Sequence, residues 1–164
     1  VKSDFLIYPT NNMLEIDDQL LNRMSRRKIQ IECDEILKNS SINIKMGNIY
    51  MTSNGGSNSD VKPTRICHAV VAGESKLVND GDISDSMIRA LIMADTEKAN
   101  IVTIIPADCG THDLDRTANV QMTSINTFLT TYEVLNIKYI FIVMDDEISY
   151  DAFINAFSIV FNSE

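Results

Sequence analysis

The sequence has no tryptophan, three prolines, six glycines and three cysteines in 164 residues. There is no internal repeat and no low-complexity tail. No apolar run approaches the roughly 20 residues that span a bilayer, and Tyr139 to Met144, the longest, has the length of a buried strand. No charged-then-apolar signal peptide opens the chain. Val1 is not a translation start, so further residues are expected upstream: a tag, another domain or a membrane anchor. Basic residues are also scarce, with 14 Lys and Arg against 23 Asp and Glu and a net charge of −9. That balance argues against a nucleic-acid partner, which needs a basic face. Arg23, Arg26, Arg27 and Lys28 do cluster, at a spacing that reads as the solvated side of a helix. Cys33, Cys67 and Cys109 are odd in number and widely separated, which points to reduced thiols in a reducing, cytoplasmic compartment. Metal is not expected, because Cys109 and His112 give two ligands where a site needs three or four.

What is present is ordinary for a globular domain: 45% hydrophobic and 23% charged residues, enough for one core. The order of elements carries more information. Phe5 to Tyr8 form a short apolar strand ended by Pro9. A helix is predicted from Asp17 or Asp18 to Lys38, with Leu20, Leu21, Met24, Ile29, Ile31, Ile36 and Leu37 as apolar positions. Asn48 to Thr52 alternate like a strand, and the polar stretch Ser53 to Asp60 marks an exposed loop. A strand at Arg65 to Val71 and a helix from Ile83 to Ala99, capped by Asp82 or Ser84, follow. Met87, Ile88, Leu91, Ile92 and Ala94 share one side of that helix. Then come a strand at Ile101 to Ile105, a helix from Leu114 to about Leu135, a buried strand at Lys138 to Val143 and a helix at Ile148 to Phe161 whose apolar residues are expected in the core. Alternating strands and helices predict a mostly parallel sheet covered on both faces, with ligands beyond the carboxyl ends of the strands. No linker divides residues 1–164, so one domain is expected.

Four loops reach that edge: Pro9–Asp18, Ala72–Asp82, Ala107–Asp113 and Met144–Glu147. The loop Ala107–Asp108–Cys109–Gly110–Thr111–His112 leads into a helix, whose unpaired N–H groups could cradle phosphate without any lysine. Its plain alternative is a connector with Asp113 as helix cap. Cys109, His112 and Asp108 lie too close in sequence for a nucleophilic triad. Asn11 and Asn12 carry amides able to bond ribose hydroxyls, or simply form a turn. His68, flanked by apolar residues in a strand, reads as a satisfied core histidine.

Four ordered blocks resemble the macro-domain family. They are Asp4–Phe5–Leu6–Ile7–Tyr8–Pro9–Thr10–Asn11, Gly47–Asn48–Ile49–Tyr50–Met51–Thr52, Arg65–Ile66–Cys67–His68–Ala69–Val70, and Ile101–Val102–Thr103–Ile104–Ile105–Pro106 through Gly110. The resemblance covers nearly the whole chain. It departs in two places. Glu15–Ile16–Asp17–Asp18 stand where many members have a glycine run, and the strands that usually precede the first block, with an adenine-reading aspartate, are absent.

The resemblance implies a three-layer α/β/α fold with a mixed, mostly parallel sheet, and a ligand of the ADP-ribose type. Pro9, Thr10, Asn11 and Asn12 would line the distal ribose, and Asp17 is a further ligand-binding candidate. Ala107, Asp108, Cys109, Gly110, Thr111 and His112 would hold the diphosphate, and Met144 and Asp145 would border adenosine. No catalytic residue and no cofactor are expected. A non-catalytic reader or signal sensor is the leading expectation, including a sensor of the Thoeris antiviral type for an amino-acid conjugate of ADP-ribose. Such a sensor could oligomerise and be tethered to a membrane ahead of Val1. The alternatives are an ADP-ribosyl hydrolase that uses Asn11, and a protein-interaction module with a non-functional pocket.

Overall fold

The computed structural model describes residues 3–16, 26–39, 43–56, 63–73, 78–107 and 113–162. In chain order these form β1 (Phe5–Asn11), α1 (Arg26–Asn39), β2 (Ile49–Ser53), β3 (Arg65–Ala72), α2 (Asp80–Thr96), β4 (Ile101–Ile104), α3 (Leu114–Thr131), β5 (Tyr139–Ile142) and α4 (Glu147–Phe161). The sheet order is β2-β3-β1-β4-β5. β1, β3, β4 and β5 run parallel, and β2 pairs antiparallel with β3. The result is a three-layer α/β/α arrangement with a mixed, mostly parallel sheet.

The side chains of β1 explain the layers. Successive strand residues point to opposite faces. Phe5 and Ile7 pack with Met87, Leu91, Ile125, Phe128 and Phe153 from α2, α3 and α4. Leu6 and Tyr8 pack on the opposite side with Ile29 and Cys33 of α1. A strand buried on both faces must read as a continuous apolar run, as Phe5–Tyr8 does. Asp4 secures the start of the strand, its Oδ2 accepting from the N–H groups of Asn100 and Ile101 at 3.1 Å each.

Five local expectations are corrected. The cap of α2 is Asn79, not Asp82 or Ser84: its side chain accepts from Gly81 N and Asp82 N, so the helix starts three residues before Ile83. Helix α3 stops at Thr131, because Asp95 draws the next segment away. Its carboxylate accepts from the N–H groups of Leu135, Asn136 and Ile137, at 3.2, 2.7 and 3.1 Å. Burial pushes the Asp95 carboxyl upward, but these donors outweigh it and leave it below the usual carboxylate range. Strand β5 is an edge strand with one open face: Tyr139 and Phe141 are exposed, while Ile140 and Ile142 on the other face pack against the core. Helix α4 buries Ala152, Phe153 and Ala156, while Ile148, Tyr150, Ile154, Phe157 and Ile159 face outward. Finally, Ile31 of α1 is exposed. The expected core positions Leu20, Leu21 and Met24 lie outside the described residues.

His68 lies fully inside, between Tyr8 and Tyr50 on the neighbouring strands. Its Nε2 is 2.9 Å from Thr52 Oγ1, while Nδ1 has no partner among the described residues. Half of the expected satisfaction is therefore met. Burial pushes the imidazole down from 6.5 to about 4, with nearby Glu32 opposing. The folded protein thus resists a proton that the unfolded chain takes up near pH 6.5. Stability from this residue is complete above that pH and falls as pH drops towards 4. The loss amounts to about 3 kcal/mol. Urea denaturation between pH 7.5 and 4 is expected to show this slope, and His68→Gln to flatten it. An equal slope in the variant would assign the acid sensitivity elsewhere.

Candidate functional site

In a parallel sheet the carboxyl ends of the strands share one edge, and the helices that follow begin there. Here that edge collects the end of β1 at Asn11, the end of β3 at Ala72, the residues after β4 to Ala107, and Met144 and Asp145 after β5. β1 is central, with β3 on one side and β4 then β5 on the other. At a strand spacing of roughly 4.8 Å, about 10 Å separates the ends of β1 and β5. Pro9, Thr10, Asn11, Asn12, Ala107, Met144 and Asp145 therefore share one edge. Asp17, Asp108, Cys109, Gly110, Thr111 and His112 lie outside the described residues.

The chain turns sharply after β1. Leu14 N–H donates to Asn11 C=O at 3.0 Å. Asn11 Oδ1 accepts from Met13 N at 3.0 Å and Glu15 N at 3.4 Å, an asparagine mimicking a backbone turn. Asn11 Nδ2 donates to Glu15 Oε2 at 2.6 Å. Thr10 Oγ1 donates to the Glu15 carbonyl at 2.9 Å, and Asn12 N–H donates to Ala72 C=O at 3.0 Å, joining the turn to β3. Leu14 takes a φ of +50°, left-handed for a residue with a β-carbon, and is fully buried. Such a conformation costs roughly 1–2 kcal/mol; burial of the leucine side chain, about 1.5–3 kcal/mol, offsets it. The turn thus forms with no glycine between Asn11 and Ile16.

The rest of the edge is acceptor-rich. Asn79 caps α2, and Asp113 caps α3 by accepting from Asp115 N at 3.0 Å and Arg116 N at 3.4 Å. Asp146 caps α4 through Ser149 N and Oγ, at 2.7 Å each. The hydrogen bonds from Ser149 hold the Asp146 carboxyl below its ordinary value. The first helix turns add Asp80, Asp82, Asp115 and Glu147. Arg116, in the first turn of α3, is committed to Asp80 at 2.9 Å. Asp113 therefore plays the capping part that the plain reading of its loop gave it, and two N–H groups expected to face phosphate are already bonded.

Behind the edge is a cavity of about 10 Å³, lined by Ile7, Pro9, Ile83, Ile105, Ala107 and Gln121 among others. That is room for one water at most. Gln121, which lines this cavity, was not among the residues expected at this edge. It is buried, and its Oε1 accepts from Ala107 N at 3.2 Å, fixing the start of the loop after β4. A polar residue at a core-facing helix position, beside Ala118, Met122 and Ile125, is the signal that marks it. Glu15, in the turn after β1, was likewise not singled out. Cys33 and Cys67 are buried free thiols. Burial, chiefly, pushes Cys33 up to about 12 and raises Cys67 as well, so neither is a nucleophile near neutral pH. No cluster of potential metal ligands occurs among the described residues, and no described helix is long and apolar enough to cross a membrane.

This arrangement is the macrodomain fold. A structure of a variant Oceanobacillus iheyensis macrodomain with ADPR superposes with a TM-score of 0.82 at 14% identity, covering 98% of this chain and 88% of that one. The same macrodomain with ADP gives 0.79 at 13% identity, covering 99% and 86%. The macrodomain of Mycobacterium tuberculosis DarG gives 0.64 at 11%, covering 88% and 91%. No protein-family model and no curated protein sequence matches the chain.

Proposed function

We propose that this chain binds ADP-ribose, or a nucleotide derived from it, across the carboxyl ends of β1, β4 and β5, as a reader or sensor without turnover. The observation that carries the reading is the built turn Asn11–Glu15, at the centre of that edge in a fold whose neighbours were determined with ADPR and ADP. Thr10, Asn11, Asn12 and Asp17 would face the distal ribose, with Pro9 beneath them. Met144 and Asp145 would border the adenosine. The diphosphate would meet the backbone of residues 108–112, because Asp113 already occupies donors at the start of α3. Backbone N–H groups held close to phosphate give a local field that an overall charge of −9 does not cancel.

The absence of turnover is part of this proposal, and the state of Asn11 supports it. Both lone-pair directions of its Oδ1 face backbone N–H groups and one amide hydrogen is given to Glu15, so it has no acceptor left with which to hold a nucleophilic water. In the sensor form of this reading, an ADP-ribose conjugate made by a partner enzyme occupies the same contacts. Thermal denaturation with ADP-ribose, amino-acid conjugates of it, cyclic forms and NAD tests the proposal. A ligand that binds only the folded state raises its melting temperature. ADP-ribose or a conjugate is expected to do so, with no ADP-ribose released from a mono-ADP-ribosylated protein. The absence of any shift at millimolar ligand would reject it.

A further inference from the structure

We infer that Glu15 is the residue that makes this site select a terminal vicinal diol over a terminal phosphate; this rests on the binding reading above and deepens it. Asn11 has little left to offer a ligand. Its Oδ1 is used by Met13 N and Glu15 N, and one of its two amide hydrogens by Glu15 Oε2. Towards a ligand it is a donor only, with one hydrogen to give. The acceptor at this end of the site is Glu15. The residue is exposed, no described residue bonds its Oε1, and the 2.6 Å contact with Asn11 together with the Thr10 bond to its carbonyl holds it in place. Asn12 Oδ1, in the same turn, is a buried acceptor without a partner among the described residues.

A fixed carboxylate beside a single N–H donor suits adjacent hydroxyls. One hydroxyl donates to the carboxylate while its neighbour accepts from the amide, and carboxylates read ribose hydroxyls this way in dinucleotide sites. The same carboxylate repels a terminal phosphate. The surroundings reinforce the sign: the helix starts bear Asp80, Asp82, Asp115 and Glu147, and Arg116 is taken by Asp80. Among the described residues, a nucleoside diphosphate ending in phosphate therefore meets mostly carboxylates where a diphosphate-linked sugar meets acceptors for its hydroxyls.

The test is calorimetric affinity for ADP-ribose and for ADP in the parent, Glu15→Gln and Glu15→Ala. The glutamine keeps an oxygen for Asn11 Nδ2 and so preserves the turn. The parent is expected to favour ADP-ribose at least tenfold. Glu15→Gln is expected to cut that preference severalfold by weakening ADP-ribose while ADP is unchanged or improved, and Glu15→Ala to remove it. If ADP-ribose binds and both variants keep the parent's preference, Glu15 does not set selectivity. If the variants weaken both nucleotides equally, Glu15 only shapes the turn, and the inference is again overturned. If the parent binds neither nucleotide, the binding reading fails, and the selectivity inference with it.

Discussion

Replacing Asn11 with alanine is expected to weaken ADP-ribose binding by about 100-fold while the protein stays folded. The size of the effect follows from how much of the turn depends on one side chain. Alanine leaves Met13 N and Glu15 N without their acceptor and releases the Glu15 carboxylate from its 2.6 Å donor. Because these groups are exposed to water, stability falls by only about 1 kcal/mol. The ligand, however, loses a pre-formed surface and must order the loop itself, a cost drawn directly from affinity. Asn11→Asp separates the acceptor from the donor. It keeps an oxygen for the two backbone N–H groups but sets a second carboxylate against Glu15, so the turn should open and affinity should again fall. Calorimetry with ADP-ribose, with circular dichroism as the folding control, reads both variants. A folded Asn11→Ala protein that binds like the parent would move the site away from this turn.

Leu14 should produce the largest change in stability. It is fully buried against Tyr8, Ile16, Ile29 and their neighbours, yet holds a φ of +50°. Truncation to alanine removes the packing and keeps the strain, and is expected to cost about 2–5 kcal/mol. Glycine removes the same packing but also relieves a conformation that costs a residue with a β-carbon roughly 1–2 kcal/mol. Leu14→Gly should therefore be no less stable than Leu14→Ala, the reverse of what glycine does at ordinary buried positions. Urea denaturation of the pair decides this. A glycine variant clearly weaker than the alanine variant would show that no strain is stored at Leu14.

These two residues also show where the sequence was legible. Apolar runs such as Phe5–Tyr8 and Ile101–Ile105 imply strands buried on both faces, and their alternation with helices implies a parallel sheet with one ligand edge. Asn11, at the end of such a run, can be nominated from the blocks that resemble a known family. Glu15 cannot, because its place depends on Leu14 accepting a left-handed conformation, which leucine does not advertise. An asparagine followed four residues later by a carboxylate is the only trace. The exposed faces of β5 and α4 were misread for a different reason. Tyr139, Phe141, Ile154 and Phe157 are apolar enough for a core, but apolarity does not reveal whether a neighbouring element covers a residue. The early stop of α3 depends on Asp95, 40 residues from Leu135 along the chain, a contact that no local pattern encodes.

The most direct test of the central claim is a titration of the ¹⁵N-labelled chain with ADP-ribose, followed by amide resonances. Saturable changes are expected at one edge of the sheet: Asn11 to Glu15, Ala72 and Gly73, Ala107 and the loop it begins, and Met144 and Asp145. The opposite ends of the strands, at Phe5, Arg65 and Ile101, should stay still. Spectra unchanged at millimolar ADP-ribose, or changes centred at those opposite ends, would contradict the central claim.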